Sequence, residues 1–292
     1  MTGLSSPAGP ALISDQHQPA GTAGEIMCRY VLDTETIRTR GEGMKFVLVH
    51  GGWQGGWTWD ELSSVLGSRG HEVFAPTLRG LEEHNADRAG LALTDMANGL
   101  VRDIEERDLR DFVLVGHSGG GPVAQYIADR LPERVRRTVF ISAWVLRDGE
   151  SINDVRPAQS VEEARAQAER SGDCTVPMDP DTWASRFMQD ATPERLATAT
   201  ARLVPSPFGW FDQRIDLPRF FDLQLPASYI FLRQDLSAPK EHYEMAAARL
   251  NNPLVTECDG SHQAMQTRPN AVADALLSVI PEHSDGIAKE SA

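Results

Sequence analysis

Five residues, Gly116-His117-Ser118-Gly119-Gly120, leave this chain few folds to choose from. They fit Gly-x-Ser-x-Gly, directly after the apolar run at residues 112–115 (FVLV) and directly before a helical segment. A serine at so tight a strand-to-helix turn sits in a strained backbone conformation, and small residues two positions to either side let the neighbouring backbones pass closely. The turn lifts the hydroxyl above a sheet, and the helix N-terminus behind it favours negative charge developing there. Neither the GxxxxGK[ST] nor the GxGxxG spacing of a phosphate-binding loop is present. The pentapeptide therefore predicts a nucleophile turn.

The rest of the pattern supplies the sheet that such a turn needs. Residues 45–50 (KFVLVH), 71–75 (HEVFA), 112–115, 138–142 (TVFIS), 228–232 (SYIFL) and 254–257 (LVTE) are short and apolar, as buried parallel strands are. Between them, helical spacing appears at Trp59, Leu62, Val65 and Leu66, closed by Gly70, and again at Met96, Leu100, Val101 and Ile104. Residues 119–130, 240–250 and 269–280 also read as helices. The alternation predicts an α/β fold, a mostly parallel sheet flanked by helices. It breaks over residues 145–222, where helical segments at 161–170, 180–188 and 193–202 are interrupted by Pro177, Pro205, Pro207 and Pro218 and no buried-strand run appears. That stretch predicts a helical lid inserted between sheet strands. The core is then 44–144 with 223–282. Residues 1–43, with a hint of one strand at 26–39, and residues 283–292 are expected to be tails, the first of them mobile.

Composition closes off other classes. With 28 Lys and Arg against 42 Asp and Glu, a formal charge of −14 argues against a nucleic-acid partner, which calls for a basic stripe. A chain 41% hydrophobic and 24% charged has the material for a large core. No apolar run approaches the ~20 residues of a membrane span, and no basic-then-apolar leader is visible, so no membrane partner and a cytoplasmic location are expected. Cys28, Cys174 and Cys258 form no CxxC pair, which suits neither a disulfide framework nor a zinc site.

A serine hydroxyl needs a base, and the base needs an orienting carboxylate; in folds built on this turn, acid and then histidine follow the serine. Of the eight histidines, His262 lies between the LVTE strand and the last helix, while the others fall in tails, a charged loop, a strand start, a helix or the glycine motifs. His262 is the predicted base. Asp235 ends the SYIFL strand, 27 residues earlier, and is the predicted acid; Asp259 and Asp148 are its competitors. The loop His50-Gly51-Gly52-Trp53-Gln54-Gly55-Gly56-Trp57 follows the first strand. Its Gly52 N–H and the Gly119 N–H are the expected oxyanion donors.

Taken together, HGGxxGGWxWxxL, GHEVFAPTLRG, VLVGHSGGG, a strand-end Asp and GSH resemble the α/β-hydrolase superfamily, over about residues 44–280. They are most similar to the branch of plant methyl esterases and hydroxynitrile lyases with their bacterial relatives. The resemblance implies a triad at Ser118, His262 and Asp235, oxyanion donors at Gly52 and Gly119, no metal and no cofactor, and it leaves a homodimer open. The lyases of the branch carry a Thr, a Glu-like residue and a Lys where this chain has Gly51, His117 and Gln263, so the expectation is ester hydrolysis through an acyl-enzyme. Aromatic residues of the lid and its edges (Trp144, Trp183, Phe187, Phe208, Trp210, Phe211) line a pocket or form the lid's own core. Trp53, His117, Trp144, Phe187 and Trp210 are the expected contacts to a small-molecule substrate, an aryl or polycyclic ester. Lactone, thioester or carbon–carbon hydrolysis on the same triad, or a non-hydrolytic binding or cyclase role, are the alternatives.

Overall fold

The computed structural model describes residues 43–83 and 87–281. The strand hinted at over residues 26–39 and the second tail lie outside the described residues, as does the first tail up to residue 42. In chain order the strands are β1 (Lys45–Val49), β2 (Glu72–Phe74), β3 (Phe112–His117), β4 (Val135–Ile141), β5 (Thr175–Val176), β6 (Ser206–Pro207), β7 (Ala227–Leu232) and β8 (Leu254–Cys258). Six of them form one parallel sheet in the order β2-β1-β3-β4-β7-β8. Strand order reverses at β1, which pairs with β2 on one edge and β3 on the other. A crevice opens at the carboxyl ends of strands at such a switch point.

Helices α1 (Asp60–Ser68), α2 (Leu93–Glu106) and α3 (Gly120–Arg130) follow β1, β2 and β3. Gly70, at φ +88°, ends the first of them, and the His71 N–H returns to the Leu66 carbonyl at 3.1 Å. Side chains alternate across the sheet as a period of two demands. Val47, Val49, Phe112 and Leu114 face the core built with α2 and α3, whereas Phe46, Leu48, Val113 and Val115 face the opposite one with α1.

Between β4 and β7 the chain leaves the sheet as α4 (Ile152–Val155), α5 (Ala158–Ser171), α6 (Pro180–Thr182), a π turn at Trp183–Phe187, α7 (Pro193–Thr200) and α8 (Phe208–Asp212). This segment also holds an antiparallel pair absent from the sequence expectation, β5 with β6. The pair is two residues long and includes Pro207, which has no N–H to extend a ladder, so no strand period marks it. The segment is fastened to the core through Trp53. Its N–H donates to Ser206 Oγ (2.7 Å), its indole N–H to the Val176 carbonyl (2.8 Å), and its carbonyl accepts from Val204 N–H (3.0 Å). α9 (Lys240–Ala248) follows β7, and α10 (Ala264–Thr267) and α11 (Pro269–Ser278) follow β8; the last packs against α1.

Candidate active site

Ser118 stands between β3 and α3 at φ +53°, a left-handed conformation that costs a non-glycine residue on the order of 1 kcal/mol or more. Its carbonyl accepts from the N–H groups of Gly121 and Trp144, both at 3.1 Å, which holds the turn closed. A Cβ on Gly120 would lie 2.5 Å from the carbonyl oxygens of Val49 and His50, so only glycine lets α3 start this close to β1. His50 anchors the loop on the other side of the serine. Its Nδ1–H donates to the Gly51 carbonyl (2.8 Å) and its Nε2 accepts from Leu78 N–H (3.0 Å). Complete burial pushes its pKa down to about 4, against the opposing pull of the Gly51 hydrogen bond, so the imidazole stays neutral at pH 7.

His262 follows β8 and is fully buried. Its Nδ1 faces Asp235 Oδ2 at 2.6 Å and Ser237 Oγ at 2.9 Å, while Nε2 has no partner among the described residues. Burial alone would raise the Asp235 carboxyl. The facing His262 and hydrogen bonds from His262 and Ser237 outweigh it and hold the group below the usual carboxylate range. Ser237 completes an Asx turn, with both its N–H (2.8 Å) and its Oγ (2.7 Å) on Asp235 Oδ1 and its Oγ 2.7 Å from the Tyr243 hydroxyl. The two competing carboxylates are occupied elsewhere. Asp259 pairs with Arg233 (2.9 Å) at the surface, and Asp148 accepts from the Leu217 N–H (2.7 Å).

The inserted segment reaches down to the His262 loop. Asp190 Oδ2 accepts from Ser261 N–H (3.2 Å), Thr267 Oγ (3.0 Å) and Arg268 Nε (3.2 Å), and the Phe187 carbonyl accepts from Gln263 N–H (3.0 Å). Phe187 also sets its ring at right angles to His262, centroids 5.1 Å apart. Gln263, in the position next to the histidine, is buried and turned to Thr58 and Gln266.

Ser118, Gly52 and Gly119 border a cavity of about 70 Å³ whose walls include Trp53, Trp144, Arg156, Phe187 and Phe211. It shares Trp53, Trp144, Arg156 and Phe187 with a wider cavity of about 430 Å³ under α5. Two of the expected pocket residues lie elsewhere. His117 is fully buried, and its position in β3 has the parity of Val113 and Val115, so its ring turns to the α1 side of the sheet. There it packs edge-on to Trp59 and donates Nε2–H to the His262 carbonyl (2.9 Å). Trp210 is buried behind the turn, where a Cβ on Gly119 would meet its Nε1 at 2.7 Å. Trp183 and Phe208 are buried as well, so the segment's aromatics divide between its own packing and the cavity wall. Sequence reading did not single out Arg156, Asp190, Ser237 or Tyr243. Only Ser237 had a local signal, the Asp-x-Ser spacing of an Asx turn. Among the described residues no cluster of three His, Cys, Asp or Glu side chains is placed to ligate a metal.

A parallel sheet in this order with a strained serine after its third strand is the arrangement of the alpha/beta hydrolase fold. The model of the alpha/beta hydrolase family matches residues 46–275, and the chain belongs to that family. Its relatives lie in the branch of the plant methylesterases. A carbendazim hydrolyzing esterase from Nocardioides sp. (strain SG-4G) is 35% identical over 123 residues, 42% of this chain and 51% of that one. A putative chloroplastic methylesterase 13 of Arabidopsis thaliana is 26% identical over 94% of this chain and 65% of its own length. The chain thus spans about half to two thirds of these two curated relatives. Among solved structures, an extracellular alpha/beta-hydrolase from a Paenibacillus species, described as sharing structural and functional homology with tobacco salicylic acid-binding protein 2, superposes with a TM-score of 0.77. It is 28% identical and covers 82% of this chain and all of that one.

Proposed function

We propose that this protein is a serine esterase acting on methyl or similarly small alkyl esters of aromatic acids. The observation that carries the reading is the state of His262, with Nδ1 held by an ionised Asp235 and Nε2 without a partner among the described residues, in a fold that sets Ser118 in the strained turn. With Asp235 fixing the tautomer, Nε2 is the basic nitrogen. It takes the Ser118 proton as the hydroxyl oxygen adds to the ester carbonyl. The resulting oxyanion is met by the Gly52 and Gly119 N–H groups, neither of which has a hydrogen-bond partner among the described residues. The imidazolium then gives its proton to the departing alcohol, leaving an acyl group on Ser118, and the same steps with water release the acid.

The inner cavity supports a small leaving alcohol, since about 70 Å³ holds only a few heavy atoms. The wider cavity, with Trp53, Trp144 and Phe187 in its wall, supports an aromatic acyl group. The names of the relatives, esterases and methylesterases, agree with this. Hydroxynitrile cleavage is not favoured, because the residue after His262 is a buried, neutral Gln263 where that chemistry uses a cation to receive cyanide.

Initial-rate hydrolysis of methyl benzoate and methyl naphthoate, beside straight-chain methyl esters, tests the reading. The aryl esters are expected to turn over faster, Ser118→Ala to fall to background, and Asp235→Asn to lose roughly 10⁴-fold in kcat. A folded protein that hydrolyses none of these esters, or a Ser118→Ala variant that keeps its activity, contradicts it.

A further inference from the structure

Arg156, just past α4, stands in the cavity wall with no ion pair among the described residues. Its side chain lines both the inner and the wider cavity. Its hydrogen bond is a long one, from Nη1 to Asn153 Oδ1 at 3.4 Å, and no ion pair engages it among the described residues. Burial lowers its pKa without a neighbouring carboxylate to oppose the shift. The neighbouring charges are all taken. Arg186 donates to the carbonyls of Leu236 and Ser237, Arg249 pairs with Glu150, and Asp212 receives Asn153 and Arg165. At the mouth, Glu163 accepts from Gln159 and Asp179 caps the Thr182 N–H.

A part-buried guanidinium with no counter-ion among the described residues is a cost to the fold, and such a cost is retained where it serves a site. The location is informative too. The guanidinium lies over the face of Phe211 at 5.1 Å, and the edge of that ring is 3.5 Å from where a Cβ on Gly52 would stand. The cation is therefore one aromatic ring away from Gly52, and by lining the wider cavity as well it also stands on the wall where the acyl group is expected to lie.

We propose that Arg156 is a specificity-determining residue that receives a carboxylate carried by the acyl part of the substrate. The preferred esters are then half-esters, an aromatic or polycyclic acid with one carboxyl esterified and a second one free. The proposal rests on the esterase reading of Ser118. The planar fork of the guanidinium matches a carboxylate bidentately, and the indole walls of Trp53 and Trp144 take the ring that joins the two carboxyl groups.

Monomethyl terephthalate and its neutral isostere methyl 4-methylbenzoate test it, with the wild type, Arg156→Met and Arg156→Lys, each checked by thermal melting. The quantity read is the ratio of kcat/KM for the anionic ester to that for the neutral one. The wild type should favour the anion. Arg156→Met should lower the ratio by roughly 10- to 100-fold, the loss of one charge-assisted pair, and Arg156→Lys should restore part of it. A wild type that favours the neutral ester, or an Arg156→Met variant that lowers both rates in equal proportion, overturns the proposal while leaving the esterase reading intact. Turnover of neither ester by the folded wild type overturns the esterase reading, and this one with it.

Discussion

Gly119→Ala probes how the turn, the proposed oxyanion amide and the inserted segment depend on one another. The added Cβ would stand 2.7 Å from Trp210 Nε1 and 3.2 Å from its Cε2. Ordinary carbon–nitrogen contact needs on the order of 3.5 Å, so one side must yield by several tenths of an ångström. Trp210 is 0% exposed and stacks on His50, so the indole has little room to retreat. Overpacking of this kind costs about 1–3 kcal/mol, which for a folded unit of this size lowers Tm by roughly 2–12 °C. The same displacement moves the Gly119 N–H, and loss of one oxyanion donor costs about 10²-fold in kcat. Thermal melts and steady-state kinetics on Gly119→Ala, Trp210→Leu and the double variant separate the effects. Trp210→Leu is destabilising by itself, but it vacates the space the methyl needs. The double variant should be more stable than the two single losses summed, by at least about 1 kcal/mol. Strict additivity, or a Gly119→Ala protein that melts and turns over like wild type, would refute the packing argument.

Two further perturbations follow from the same geometry. His50 has its pKa depressed to about 4 against an ordinary 6.5, so between those values the unfolded chain binds the extra proton and stability falls as pH falls. The wild type should lose about 2 kcal/mol from this group between pH 7 and 4.5, and urea titrations of His50→Gln at both pH values should show a correspondingly smaller acid loss. Asp190→Ala removes the shared acceptor of Ser261, Thr267 and Arg268, leaving the buried Ser261 N–H unpaired. It should cost about 1–3 kcal/mol and lower kcat more than it raises KM, as read from melting and Michaelis–Menten curves; an unchanged kcat would separate this loop from His262.

What the sequence told about this protein divides along a physical line. The six sheet strands and their flanking helices were legible because burial imposes a period on contiguous residues, and the strained turn at Ser118 because sterics dictate its glycines. The pairing of Asp235 with His262 was legible from their places at strand ends. The residues that went unread are those whose meaning comes from distant partners. Asp190 meets Ser261 across 71 residues, and Arg156 is notable for a counter-ion that the fold withholds. His117 is a different case, since strand parity places it with Val113 and Val115 on the α1 face, where it meets Trp59 and the back of His262 rather than the cavity. Trp210 was expected against the substrate and is buried behind the turn instead, because an aromatic in a proline-interrupted segment carries no period to say which side it packs on.

The central claim is that Ser118 is a nucleophile activated by His262. Intact-protein mass spectrometry after exposure to a fluorophosphonate tests it most directly, since phosphonylation requires an activated serine and no knowledge of the substrate. One adduct is expected on the wild type, located at Ser118, absent from Ser118→Ala and formed far more slowly by His262→Ala. A folded wild type that stays unmodified, or an adduct that persists in Ser118→Ala, would contradict the account.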